Sequence, residues 1–236
     1  EKIEFKDFPE LEKYILHRLW EIDQTIKDSI KKFNFHLIFT TLLNFCSNDL
    51  SSFYFDIRKD TIYCDTSSSN KRRSVRTLLD ILFNFLIRWL APSLVFTCEE
   101  AWQARGNNSS IHLEEFLKSQ SDFKNNTLSD KWNLIKSVRK VITGALEKKR
   151  ADKFIGSSLE AHADIYLDQK LMSKLKYIDF SEIAIISSFR ILDKKESLDN
   201  FNLEEIEGVS INISKAIGKK CERCWKFEED INSNGI

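Results

Sequence analysis

The chain has 236 residues, of which 42% are hydrophobic and 31% are charged, a composition typical of globular proteins with one large or two modest domains. Its 36 basic and 36 acidic residues give a net charge of zero, which by itself argues against nucleic acid as a partner. No stretch approaches the ~20 apolar residues of a membrane span and no signal-peptide pattern is present, so we expect a cytoplasmic protein. Five cysteines, an odd number, do not indicate a disulfide framework.

Long helices are predicted for the first half of the chain, in line with its low glycine (6) and proline (2) content. Apolar residues recur every three or four positions over residues 11–37 and predict one long helix. A denser apolar stretch over 42–55 predicts a second helix, ended by the charged residues 58–60. A polar loop at 66–70 precedes a third helix, which Pro92 breaks or kinks.

A fourth helix is predicted to restart at Thr97, where the Thr oxygen and Glu100 have the spacing of a capping box. Four helices with such apolar stripes are enough to close a helical bundle around one core. We assign this bundle to residues 1–104. Residues 105–129 are polar and irregular, and they form the predicted connecting region.

The sequence then predicts a small α+β domain over residues 130–218. Asp130 is expected to cap a helix that has one apolar and one basic face. Alternating apolar and polar residues predict strands, with a short helix at 169–177. The strands are predicted at residues 159–168, 182–192 and 209–213. His162 falls on the polar face of the first strand, where a lone histidine is usually a surface side chain. The whole chain is therefore predicted to be mainly α.

Basic residues gather in three groups despite the neutral net charge. Such groups allow Lys and Arg to contact the phosphates of a nucleic acid without reading base identity. A solvated protein surface has the same pattern, so spacing alone does not decide between these interpretations. The groups are Lys71, Arg72, Arg73 and Arg76; Lys136, Arg139, Lys140, Lys148, Lys149, Arg150 and Lys153; and Lys215, Lys219, Lys220, Arg223 and Lys226.

Two cysteines near the end of the chain, Cys221 and Cys224, have the C-x2-C spacing of a metal knuckle. A tetrahedral zinc site commonly takes two such pairs, so residues 219–236 predict an incomplete zinc knuckle and hence a fragment of a longer protein. Two alternatives remain open. A redox pair would require the motif at a junction of strand and helix, where helix signals are missing. Two uninvolved surface cysteines are the other possibility.

Sequence motifs of catalysis are missing. The chain has no G-x-S-x-G elbow, Walker loop, dinucleotide fingerprint or H-E-x-x-H helix. Its many carboxylates form no pair whose surroundings would force their pKa values apart. We therefore expect a segment that binds and does no chemistry itself.

Several motifs in consecutive order resemble the C-terminal part of bacterial-type isoleucyl-tRNA synthetases, from near Leu11 over almost the whole chain. The helical motifs are shared with the synthetases for valine and leucine, whereas the knuckle after them favours isoleucine. The matching segments are 49–60 (DLSSFYFDIRKD), 63–65 (YCD), Arg72 with Arg73, 89–92 (WLAP), 96–102 (FTCEEAW), 138–139 (VR), 145–147 (ALE), Arg150, Lys153, 155–161 (IGSSLEA) and 221–225 (CERCW).

This resemblance implies a helical anticodon-binding domain, a junction and the start of a C-terminal zinc knuckle with Cys221 and Cys224 as ligands. For the full-length enzyme it implies charging of tRNA(Ile) with isoleucine, using ATP and Mg2+, and editing of mischarged valine. The catalytic motifs of the HIGH and KMSKS types are absent from this sequence. We expect a monomer with tRNA(Ile) as its partner. The expected tRNA-binding residues are Arg72, Arg73, Arg76, Lys136, Arg139, Lys140, Arg150, Lys153, Arg223 and Trp225.

The expected mode of binding places the bundle along the anticodon stem and the basic helix against phosphates. Trp225 and Arg223 would stack on and hydrogen-bond to unpaired bases, although Trp225 could equally be a hydrophobic plug under the metal site. The alternative from another functional class is a helical module that binds protein partners. Such a module would expose a contiguous apolar patch and bind with little salt dependence.

Overall fold

The computed structural model describes residues 2–193 and 200–229. The chain divides into two compact units, Glu1–Asn126 and Thr127–Ile236. The first unit is helical and the second combines helices with a small sheet, so the predicted mainly α fold with an α+β part is confirmed. Within the described ranges, no helix combines the length and the apolar character needed to cross a membrane.

After a 3-10 turn at Phe5–Asp7 the first unit has α1 (Glu10–Lys31) and α2 (Phe35–Asn44), and the single long helix predicted here is wrong. The break lies at Phe33, whose φ of 55° is left-handed and ends the α-helical hydrogen-bond pattern. Asn34 then caps α2, because its side chain accepts a hydrogen bond from the backbone N–H of Leu37 at 3.3 Å. Phe33 and Leu37 completed the predicted apolar stripe, but both side chains are exposed.

A π-helical segment, Phe45–Phe55, follows α2 directly and continues into α3 (Asp56–Cys64). The predicted helix end at residues 58–60 is therefore wrong. Arg58 is not a solvated end residue, because it is buried and forms an ion pair with Glu12 of α1. A charged side chain can remain inside a helical core when a buried partner of opposite charge is present.

The helices α4 (Asn70–Leu90) and α5 (Val95–Ala104) complete the bundle. The predicted capping box at Thr97 and Glu100 is wrong, because both residues lie inside α5. Helix α1 packs against both α2 and α4, and α3 packs against α4. A smaller cluster joins α4 and α5 to the 3-10 turn Ile111–Leu113. Its buried members are Ile87, Ala91, Cys98, Trp102 and Ile111.

The long helix of the second unit, α6 (Asn126–Ala151), starts four residues before Asp130, so the predicted cap at Asp130 is wrong. The apolar stripe that predicted this helix is confirmed apart from Leu134, which is only partly buried. Its buried members are Ile135, Val138, Ile142, Ala145 and Leu146.

Three strands, β1 (Ala161–Leu167), β2 (Ser188–Leu192) and β3 (Val209–Lys215), form a sheet in the order β2-β1-β3. Strand β1 is parallel to β2 and antiparallel to β3. Every second residue of β1 is buried, as the alternating pattern predicted. The predictions of a first and a third strand are therefore confirmed.

Two short helices, α7 (Gln169–Leu175) and α8 (Phe180–Ala184), lie between β1 and β2 in the chain. The first confirms the predicted short helix, but the strand predicted from residue 182 is wrong in its first half. The Asp179 carboxylate accepts a hydrogen bond from the backbone N–H of Ser181 at 2.9 Å and so starts α8. Ile185, with a φ of 57°, ends it.

Candidate nucleic-acid interface

The first basic group lies in the first two turns of α4. Arg72 donates from Nη1 to the backbone carbonyl of Asp65 at 2.7 Å, and it therefore holds the loop that precedes the helix. Arg73 is partly buried and already engaged within the molecule. Arg76 is exposed. Of the three predicted contacts in this group, Arg76 is thus the most accessible to a ligand.

In the second group, Arg139 of α6 has a structural partner. Its Nε donates to the backbone carbonyl of Ile183 at 2.8 Å, and this carbonyl belongs to the last turn of α8, where helical carbonyls lack partners in the helix itself. Lys136 is partly buried and also engaged within the molecule. The basic face of α6 therefore includes residues that hold the second unit together.

Two further cations of α6 form surface ion pairs. Nζ of Lys140 lies 3.1 Å from Oε1 of Glu205, and both side chains are well exposed. Arg150 pairs with Glu147 one turn earlier in the helix. Exposed pairs of this kind contribute at most about 1 kcal/mol. A phosphate can therefore compete with the carboxylates for Lys140 and Arg150.

The end of α6 carries an exposed ring that sequence reasoning missed. Phe154 is 41% exposed, and Nζ of Lys149 and of Lys215 lie 5.2 and 5.5 Å from its ring centre, within the range of cation–π attraction. Lys153, beside it, has a left-handed φ of 57°. The second and third basic groups thus meet at Phe154. The sequence feature that could have indicated this ring is an aromatic residue directly after a run of basic residues and outside the apolar stripe of α6.

The predicted knuckle, described up to Glu229, is a hairpin of β4 (Lys219–Lys220) and β5 (Phe227–Glu228). Its turn is closed by a hydrogen bond from the backbone N–H of Trp225 to the Cys221 carbonyl at 3.0 Å. Gly218 has a φ of 111°, and a Cβ there would lie 2.2 Å from the Glu228 carbonyl oxygen. Glycine is therefore required for the two strands to approach.

The two thiols of the knuckle differ in their surroundings. Hydrogen bonds from the backbone N–H groups of Cys224 and Arg223 lower the pKa of Cys221, because they stabilise its thiolate. Burial raises the pKa of Cys224. The motif lies between two strands, not between a strand and a helix, which disfavours a redox pair.

The donor set of the knuckle fits two of the four ligand positions of tetrahedral zinc, because the two thiols have C-x2-C spacing on one turn, which the bond from the Trp225 N–H to the Cys221 carbonyl closes. Within residues 2–193 and 200–229, no group of three or more His, Cys, Asp or Glu side chains could hold a metal ion. The knuckle as described therefore supplies half of a ligand set.

The remaining predicted contacts, Arg223 and Trp225, lie in the turn of the knuckle. Trp225 is 60% exposed, with Nζ of Lys220 at 4.9 Å from its ring centre, so the ring is not a buried plug. Arg223 is exposed and takes part in an interaction within the molecule. Trp225 and Phe154 are thus both exposed rings next to ammonium groups.

Residues 12–166 match the family described as the anticodon-binding domain of tRNA ligase. Over 99% of its length the chain is 43% identical to an isoleucine–tRNA ligase of Bartonella quintana and 44% identical to one of Agrobacterium fabrum. Over 97% of its length it is 43% identical to the isoleucine–tRNA ligase of Pelagibacter ubique. Each match covers 24% of the relative, so the chain spans about a quarter of the length of these curated relatives. The resemblance inferred from the motifs is confirmed.

Proposed function

The chain belongs to the family of anticodon-binding domains of tRNA ligases, and from this we propose that it binds the anticodon stem-loop of tRNA(Ile) as part of an isoleucine–tRNA ligase. The longer protein would charge tRNA(Ile) with isoleucine in the cytoplasm, using ATP and Mg2+. This chain would act within a monomer and contribute binding, not catalysis. The helical bundle would lie along the anticodon stem.

The observation that carries this proposal is the pairing of exposed rings with ammonium groups in the second unit. Phe154 lies near Lys149 and Lys215, and Trp225 lies near Lys220. Proteins that bind unpaired RNA combine aromatic surfaces, on which bases stack, with cations that neutralise the neighbouring phosphates. Both requirements are met at these two positions.

The predicted basic residues divide into two roles. Four residues would contact phosphates. Arg76 and Lys153 are exposed, and Lys140 and Arg150 form only surface ion pairs. Arg72 and Arg139 would act by positioning, because each is bonded to a backbone carbonyl. Arg73, Lys136 and Arg223 would contribute positive potential to the same surfaces.

Zinc is the metal that the knuckle would hold, with Cys221 and Cys224 as two of its ligands. Bound zinc would stabilise the turn that carries Trp225 and thereby restrict the position of its ring. Two thiolates alone hold the metal weakly, so the remaining ligands would have to come from outside the described residues.

A second candidate function, binding of a protein partner, is favoured by an apolar surface on α2 and on Phe33, two residues before the helix begins. Phe33 and Phe35 are in edge-to-face contact, with ring centres 6.2 Å apart. Exposed apolar clusters of this kind mark protein contacts. The exposed members are Phe33, Phe35, Leu37, Phe39 and Leu43.

The two functions differ in their response to salt. We would titrate the chain against a labelled tRNA(Ile) transcript and an anticodon-swapped transcript, from about 50 to about 300 mM salt. Phosphate contacts require the affinity to fall as salt rises, and anticodon recognition requires a preference for the native transcript. Absence of binding to both transcripts by the folded protein would refute RNA binding and favour a protein partner.

Two ring variants sharpen this test. Trp225→Ala and Phe154→Ala are each expected to weaken binding about fivefold or more, the effect of losing one stacked base. Tyr177→Ala is the matched control, because Tyr177 is 87% exposed and has the ammonium of Lys176 at 4.6 Å from its ring centre, but lies outside the three basic groups. Equal effects of all three variants would contradict the assignment of Trp225 and Phe154.

A further inference from the structure

A cavity of about 430 Å3 opens beside the sheet of the second unit. It is bounded by the first residues of β1 and β2, the last residues of β3, and β5. In the sheet register, His162 is paired with Ser188 on one side and with Ser214 on the other. Paired residues of neighbouring strands point to the same face. These three polar side chains therefore form one row along the cavity, whose volume suits a small planar ligand.

The imidazole of His162 is held at both ring nitrogens. Nδ1 lies 2.8 Å from the Ser188 hydroxyl and Nε2 lies 3.3 Å from Oδ1 of Asp164. A carboxylate only accepts hydrogen bonds, so Nε2 carries the hydrogen, and in the neutral ring Nδ1 accepts from Ser188. Asp164 is in turn fixed by Arg190 at 2.9 Å. Because both ring nitrogens are hydrogen-bonded, the part of the His162 side chain that a ligand can contact is the face of its ring.

Apolar groups form other walls of the cavity. Ile217 is 75% exposed, and Phe227 lines the same space. The backbone N–H of Phe227 donates to the Ser187 hydroxyl at 2.7 Å, which fixes the backbone of β5 relative to the sheet. A planar ligand could therefore contact aromatic or aliphatic surface on more than one side.

The charges of the lining argue against a phosphate or a metal ion. Glu228 and Glu229 line the cavity, whereas the ammonium of Lys215 lies at the Phe154 ring, so the charge of the lining is negative and would repel an anion. Among the described residues, no three side chains of metal-binding type are grouped there or elsewhere. The edge of a nucleobase, in contrast, presents donors and acceptors side by side. A lining with carboxylates and the Ser214 hydroxyl can satisfy both.

We propose that this cavity receives one unpaired base of the bound RNA. The base ring stacks against His162 and Phe227, its amino or imino hydrogens bind a glutamate carboxylate of the lining, and its carbonyl or ring nitrogen atoms accept from Ser214. This inference rests on the proposed tRNA binding and adds a specific base site to it. The site is close in sequence to Trp225, which precedes Phe227 by two residues, so neighbouring nucleotides would contact the knuckle turn.

The test uses the whole chain and a set of tRNA(Ile) transcripts, each with one anticodon-loop nucleotide made abasic. For the wild-type protein, the abasic substitution at the bound position is expected to weaken binding about tenfold, the size of one stacked and hydrogen-bonded base. Ser214→Phe, which fills the cavity, and His162→Ala, which removes a wall, are expected to weaken binding of the intact transcript by a similar factor. Neither variant should weaken binding of that one abasic transcript further.

This coupling to a single nucleotide distinguishes a base site from general damage, and thermal unfolding of each variant checks that it is folded. Ser214→Ala is the control that leaves the cavity open, and it should lose less affinity than Ser214→Phe. Variants that weaken all transcripts equally, or none, overturn the inference while RNA binding by the wild-type protein upholds the proposed function. A wild-type protein that binds no transcript overturns both.

Discussion

Glu12 of α1 and Arg58 of α3 form a buried two-pronged ion pair, in which Nε of Arg58 lies 2.7 Å from Oε1 of Glu12 and Nη2 lies 3.0 Å from Oε2. The Tyr54 hydroxyl also donates to Oε1, at 3.1 Å. Burial, together with the charge of Glu12, raises the pKa of Tyr54 far above its usual range, so this hydroxyl remains a donor. The pair joins two helices that are distant in sequence.

Removal of one partner of this pair should destabilise the first unit strongly. Arg58→Met leaves the Glu12 carboxylate buried without its cation, and we expect a loss of about 3–5 kcal/mol in the free energy of unfolding. The double variant Glu12→Leu/Arg58→Met should lose less, because no unpaired charge remains. Urea unfolding followed by circular dichroism measures both variants.

The control is Lys59→Met, which removes an exposed pair with Asp56 and should cost at most about 1 kcal/mol. A double variant no more stable than Arg58→Met would contradict this account.

His17 should make the first unit less stable at mildly acidic pH. Its side chain is 1% exposed, and Nδ1 accepts a hydrogen bond from the backbone N–H of Asn125 at 3.0 Å. Burial lowers the pKa of His17 in the folded state, so below about pH 6.5 the unfolded state takes up a proton more readily than the folded state. Stability therefore falls as pH drops through the unfolded pKa and stops falling below the folded pKa.

Unfolding experiments at pH values between about 8 and about 5 test this dependence. His17→Gln retains an acceptor but does not titrate, so its stability should fall less over this range than that of the wild type. His36→Gln, which replaces an exposed histidine, is the matched control and should follow the wild-type curve. A His17→Gln curve parallel to the wild type would rule out this role.

Arg139 and Lys140 are neighbours on α6 with different expected roles. Arg139→Ala removes the hydrogen bond to the Ile183 carbonyl, and we expect the second unit to lose about 1.5–3 kcal/mol of stability, the range for bonds to charged groups. Lys140→Ala breaks only an exposed pair with Glu205 and should cost at most about 1 kcal/mol. If Lys140 contacts a phosphate, its replacement should reduce the salt slope of tRNA binding by about one. This division of roles would be refuted if Lys140→Ala lost more stability than Arg139→Ala and only Arg139→Ala reduced the salt slope.

Zinc bound to this chain should be weakly held. Two thiolates satisfy half of a tetrahedral ligand set, so we expect a chromogenic chelator to remove added zinc readily. Cys221→Ser and Cys224→Ser should each lower the residual affinity, whereas Cys64→Ser, which changes a cysteine of α3, should not. Zinc that resists the chelator, or loss of affinity in Cys64→Ser, would show that the ligands lie elsewhere.

Local patterns predicted most helices and strands but not their limits. The alternation in β1 and the apolar stripe of α6 predicted elements that exist, because each pattern follows from the repeat of the backbone itself. The division at Phe33 was missed, since a left-handed residue outside glycine leaves no mark in an apolar pattern. The first half of the strand predicted from residue 182 is wrong, and α8 was missed there, because the Asp179 cap prevails over the apolar residues that follow.

For the candidate site, the sequence by itself determined the family, the C-x2-C pair Cys221 and Cys224, and the three basic groups. The tertiary structure decided which cations are committed to the fold, such as Arg139, and which residues meet. Phe154 lies beside Lys215, and His162 lies between Ser188 and Ser214. These encounters depend on strand register and on packing between segments distant in the chain. A sequence pattern describes the direction of a side chain from its own backbone but not the partner it will face.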